Sequence, residues 1–145
     1  MNQKIPSEVL NAFIPGLQKD DENLQIHPIG NGLINHSFRI SCAQVPDFFL
    51  QKINTTVFED PLRLQKNYME TWQYAEFEFT GLRLPAPVYC GNLKTLFRDQ
   101  QGDYWRAFEF IEQSKTILVA GKPSEAKAAA RAFARFTLAL EEMNT

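Results

Sequence analysis

The feature that most constrains this chain is the turn Gly30-Asn31-Gly32, set between two segments that each alternate apolar and polar residues. Leu24-Gln25-Ile26-His27 precedes it and Ser37-Phe38-Arg39-Ile40-Ser41 follows it. Period-two alternation marks a half-buried strand, and Gly and Asn tolerate the positive φ of a tight reversal, so the spacing predicts an antiparallel hairpin. Phe48-Phe49-Leu50-Gln51-Lys52-Ile53 reads as a third strand, reached through Pro46-Asp47. Asp60-Pro61 then opens a helix, with Asp as N-cap and Pro at the first helical position, where a missing N–H costs nothing. Leu62, Tyr68, Met69, Trp72, Ala75 and Phe79 recur every three or four positions along it, so it should run from Pro61 to Thr80 and stop at Gly81.

The remaining elements follow from the same rules. Ser7 is placed to cap a short helix through about Phe13, halted by Pro15-Gly16. Pro85-Ala86-Pro87 imposes an extended connection. Thr95–Arg98 and Tyr104–Phe110 read as two strands joined by the loop 99–103. Ser124–Glu142 reads as an Ala-rich helix with Ala129, Phe133, Phe136 and Leu140 on one face. The expected order is helix, three strands, helix, two strands, helix. Adjacent strands linked by short turns favour an α+β fold with a five-stranded, mostly antiparallel sheet, one packed helix and a trailing C-terminal helix.

Length and composition fit one domain spanning 1–145 with a substantial core, in which residues 1–23 form an arm and 112–145 a connector. Apolar residues make up 44% and charged residues 22%, which argues against disorder. Fifteen Lys and Arg balance 17 Asp and Glu, so no basic surplus invites nucleic acid or an acidic membrane. Twelve Phe promise an aromatic core. The N-terminus has no apolar export segment and no apolar run approaches 18 residues, so a cytoplasmic protein without a membrane span is expected. Cys42 and Cys90 have neither disulfide-scaffold nor metal-ligand spacing, and His27 and His36 stand apart from any ligand cluster.

Several site classes drop out by pattern. A dinucleotide fingerprint needs a third glycine where Asn35 stands, and a helix where the sequence reads as strand. No Gly-Lys-Ser/Thr and no Gly-x-Ser-x-Gly occurs. A glycine-rich hairpin, a strand carrying Gln51-Lys52 and a following helix make up the opening of a kinase-type lobe. There the loop backbone approaches nucleotide phosphates, a strand-three Lys pairs with them, and a helix carboxylate orients that Lys.

The stretches Ile29-Gly30-Asn31-Gly32-Leu33-Ile34-Asn35-His36-Ser37-Phe38, Phe49-Leu50-Gln51-Lys52-Ile53-Asn54 and Val57-Phe58-Glu59-Asp60-Pro61 carry a resemblance. So do Leu84-Pro85-Ala86-Pro87 and Trp105-Arg106-Ala107-Phe108-Glu109-Phe110-Ile111-Glu112. Together, from about Leu24 to Leu140, they resemble the aminoglycoside-phosphotransferase-like kinases, nearest the N-acetylhexosamine 1-kinase branch, whose relatives are sometimes labelled mucin-desulfating proteins. The resemblance implies the ATP-binding N-terminal lobe of a small-molecule phosphotransferase. Gly30, Asn31, Gly32 and Asn35 would cover the phosphates, and the backbone of Glu109, Phe110 and Ile111 would meet the adenine edge.

Strand alternation puts Phe48, Leu50 and Lys52 on one face and Phe49, Gln51 and Ile53 on the other. Gln51 and Lys52 both stay open as the phosphate-side residue, with charge favouring Lys52. Glu70 and Glu76 both stay open as its helix partner, burial favouring Glu76. The resemblance places the catalytic Asp and the Mg²⁺ ligands in a further C-terminal lobe, so this chain alone is expected to bind ATP without transferring phosphate. Its apolar faces would meet that lobe or a second copy. The competing reading is a non-catalytic interaction domain in which Gly30-Asn31-Gly32 is only a turn.

Overall fold

A computed structural model of the chain describes residues 4–17, 21–30, 34–79, 81–115, 117 and 119–143. Helix α1 (Ser7–Phe13) is followed by strands β1 (Gln25–Ile29), β2 (His36–Ser41) and β3 (Phe48–Lys52), then helix α2 (Pro61–Phe77). Strands β4 (Pro87–Val88), β5 (Phe97–Arg98) and β6 (Tyr104–Glu109) come next, and helix α3 (Pro123–Met143) last. The strands form one α+β sheet in the order β1-β2-β3-β6-β4, with β5 also on β6, and every pairing is antiparallel.

The sheet has six strands rather than the expected five. The added one is β4, at the end of the Pro85-Ala86-Pro87 connection, where Pro87 lies opposite Phe108 and Val88 opposite Ala107. Proline has no N–H for a ladder, so it fits only at a sheet edge, and β4 and the Pro28-bearing β1 are both edge strands. β5 is correspondingly two residues long, not four.

The hairpin register sets Pro28 against Phe38 and Ile26 against Ile40, so β2 alternates as expected: Phe38 and Ile40 buried, Ser37 and Arg39 half-exposed. Phe48 and Leu50 on β3 and Trp105 and Ala107 on β6 continue that buried face. Val9, Leu10, Phe13 and Ile14, from α1 and the residue after it, join the same core cluster. Each such fully buried large apolar side chain contributes about 1.5–3 kcal/mol, so this face anchors the domain.

Helix caps explain where the helices begin. The Asp60 carboxylate accepts from the Arg63 N–H at 2.9 Å and so caps α2, as the sequence indicates. At α1 the N-cap is Pro6, with no side-chain cap bond, so Ser7 is the first helical residue rather than the cap. α2 ends at Phe77, short of the expected Thr80, which lies outside the described residues. Its expected stripe is only partly inward: Ala75 is buried and Leu62 is exposed, while Gln65, outside that stripe, is buried. α3 touches the rest mainly through α2, and only its Ala139 is buried. Phe133 stays exposed, while Phe136 and Leu140 are half-buried. No helix among the described residues is long and apolar enough to cross a membrane.

Candidate nucleotide site

The second face of the sheet, opposite the α1 core, carries the polar residues. Ser37, Gln51 and Arg106 stand side by side on β2, β3 and β6, because Ser37 pairs with Gln51 and Gln51 with Arg106. The Gln51 amide nitrogen donates to Ser37 Oγ at 3.2 Å, and its Oε1 accepts from Arg106 Nε at 2.9 Å and a terminal guanidinium nitrogen at 2.8 Å. Two residues along β6, Phe108 lies over the same face. Tyr68 of α2 closes it, its ring 4.7 Å from that of Phe108 and its hydroxyl donating to the Pro85 carbonyl at 2.6 Å. Burial pushes the Tyr68 phenol up to about 12, the nearby Arg106 cation opposing that rise.

Lys52 lies elsewhere. It faces the Trp105 ring at 5.9 Å and pairs with the Asp103 carboxylate at 2.5 Å, so it does not join Gln51. Strand geometry alone separates them, since neighbouring residues point to opposite faces. Neither helix glutamate reaches the strand. Glu70 pairs with Lys66 one turn away at 3.8 Å, and Glu76 is exposed. The α2 residue that meets this face is Tyr68, whose ring lies 5.9 Å from the Arg106 guanidinium.

Gly30 holds a φ of +70°, a conformation that suits glycine at the mouth of the hairpin turn. Asn31 and Gly32 lie outside the described residues. The Asn35 side chain accepts from the Asn54 N–H at 2.8 Å, tying the end of the hairpin loop to the chain leaving β3.

At the far end of β6, the chain leaves the sheet through Glu109, Phe110 and Ile111. The Glu109 N–H donates to Ala86 and that of Phe110 to Asp47, so both are occupied. The Glu109 carboxylate accepts from the Ala86 N–H and from Arg83. Phe110 lies under the Arg39 guanidinium at 4.0 Å. The Ile111 carbonyl accepts from Ser114, and its N–H has no partner among the described residues. Of the three exit residues, Ile111 is thus the one whose N–H is unpaired among the described residues.

Sequence reasoning missed Arg106 and Tyr68. Alternation along Trp105-Arg106-Ala107-Phe108 places Arg106 and Phe108 on one face, but only the β3–β6 register shows that this is also the face of Gln51. Among the described residues, no three His, Cys, Asp or Glu side chains gather as a metal site would require. No family model matches the chain.

Proposed function

We propose that the chain binds a nucleoside polyphosphate in the manner of a kinase-type small lobe, as its resemblance to the aminoglycoside-phosphotransferase-like kinases suggests. One observation carries the reading. β3 lies at the centre of the sheet, between the glycine hairpin and the exit strand β6, and its Gln51 stands beside Arg106 of β6 on the face that Tyr68 of α2 meets. A phosphate chain under the hairpin would lie near that face, and a base beside Ile111. Three features support it: the Asn35–Asn54 hydrogen bond beside the hairpin, the Ile111 N–H and the polar row on β2, β3 and β6.

Binding is proposed without phosphoryl transfer. Transfer needs an aspartate as base and acidic ligands for Mg²⁺. Each described aspartate is engaged elsewhere: Asp21 with Gln44, Asp47 with Arg39, Asp60 as the α2 cap, Asp99 with Trp105 and Asp103 with Lys52. Among the described residues no carboxylates gather to clamp Mg²⁺.

Amide chemical-shift mapping with ATP tests the reading. The expected result is movement at Gly30–Asn35 and at Ile111, with affinity in the roughly millimolar range, near −4 kcal/mol. ATP that moved neither segment would leave the glycine turn as a plain hairpin and the domain as an interaction module.

A further inference from the structure

Arg106 holds an unusual position among the cations of this protein. Of the described arginines, only Arg39 and Arg106 lie on the sheet faces and are half-buried. Arg39 faces two carboxylates, those of Asp47 and Glu112. Arg106 has no acidic partner among the described residues; its two hydrogen bonds both end on the neutral Gln51 amide oxygen. A guanidinium taken out of water ordinarily sits against a carboxylate, because an uncompensated buried charge is costly. Here burial holds the Arg106 guanidinium below its ordinary range.

The surroundings keep that cation in place without neutralising it. Arginine can only donate, so the Gln51 amide must turn its oxygen to Arg106, and its nitrogen then meets Ser37. The guanidinium also lies 5.1 Å from the Phe108 ring centre and 5.9 Å from that of Tyr68, distances at which aromatic faces attract a cation. Two of its five N–H groups are used on Gln51, and the other three make no hydrogen bond among the described residues. Arg106 lines a cleft of about 580 Å³ with Tyr68, Asn67, Leu84, Phe136 and Leu140. Glu70 also borders that cleft but is exposed and pairs with Lys66.

From this geometry we infer that Arg106, oriented by Gln51, is the anion receptor of the α2 face and takes the phosphate groups of a di- or triphosphate. The inference deepens the nucleotide reading and rests on it for the identity of the ligand, though not for the presence of an anion site. It also assigns the roles of the β3 pair: Gln51 positions, Arg106 supplies the charge, and Lys52, on the other face, does neither. The planar fork of arginine suits two phosphate oxygens at once, which an amide at position 51 cannot offer alone.

Inorganic pyrophosphate, ADP and adenosine are the probes, with binding followed by calorimetry and by the arginine Nε–H resonances. Pyrophosphate should shift the Arg106 Nε–H, and its affinity should fall at least tenfold in Arg106→Met. Gln51→Glu places a carboxylate against the guanidinium and should abolish pyrophosphate binding while leaving the melting temperature equal or higher, which separates loss of the site from loss of the fold. Pyrophosphate that leaves the Arg106 signal unmoved, binding that survives Gln51→Glu, or binding that falls in Lys52→Met and not in Arg106→Met would each overturn the inference. The nucleotide reading fails separately. Pyrophosphate bound at Arg106, with ADP no tighter and adenosine without effect at Ile111, would keep the anion site and remove the nucleoside.

Discussion

The loop between β5 and β6 is organised by one buried carboxylate, and removing it should be the costliest single change outside the apolar core. Asp99 is only 6% exposed. One of its oxygens accepts from the backbone N–H groups of Gln101 and Asp103 at 2.9 Å each, and the other accepts from the Trp105 indole N–H at 2.8 Å. Trp105 is 1% exposed, so its indole N–H has no access to water. In Asp99→Ala the two backbone donors lie on a loop that water can reach, whereas the indole donor is left buried and unpaired. An orphaned buried donor costs about 1–3 kcal/mol, and the loss of bonds to a carboxylate adds to it, giving about 2–4 kcal/mol in total. For a chain of this size that lowers Tm by roughly 6–15 °C. Thermal unfolding followed by circular dichroism measures it. The indole share is isolated in a Trp105→Phe background, where Asp99→Ala should cost less by about 1–2 kcal/mol because no N–H remains to be stranded. Equal losses in both backgrounds, or a single variant melting within about 2 °C of wild type, would refute the account of Asp99 as the partner of the indole.

Two further changes test other parts of the fold. The Asp47 carboxyl is held below its ordinary value of 3.8 by the Ser41 hydroxyl and then by Arg39, so its contribution to stability is present above that value and lost as pH falls through the lower folded-state value. Asp47→Asn should therefore have a lower urea midpoint than wild type at pH 7, with the gap closing below about pH 4; a gap independent of pH would contradict it. Gln65 is buried in α2 with both amide atoms unpartnered among the described residues. Gln65→Leu should raise Tm by about 3–5 °C, since an unpaired buried amide costs about 1 kcal/mol or more; a lower Tm would show that the amide is satisfied in solution.

Local signals in the sequence were enough for most of the elements. The alternation of β2 and β3 and the Asp60-Pro61 start of α2 are decided within a few residues, and the structure has both, with β1 and β2 paired as a hairpin requires. Apart from the α1 cap, where Pro6 stands in the place expected for Ser7, the larger differences between expectation and structure are decided by distant partners. β4 exists because Ala86, Pro87 and Val88 meet β6, a pairing that a Pro-rich stretch does not announce by itself. α2 buries Gln65 and exposes Leu62, since its packing is set by the neighbouring segments more than by its own stripe.

The same distinction governs the candidate site. Alternation correctly sets Gln51 and Lys52 on opposite faces, but which face is covered by α2 depends on packing. Charge favours Lys52, yet Lys52 lies beside Trp105 with Asp103 as counter-ion. A carboxylate on α2 would be needed to orient a lysine at position 51, and that place is filled by Tyr68. An amide there needs no carboxylate. It needs a donor across the ladder, and β6 provides one at Arg106, 55 residues away in sequence and directly opposite in the sheet. The cation beside Gln51 is therefore on the neighbouring strand β6. That exchange depends on register, so no motif within β3 could have revealed it.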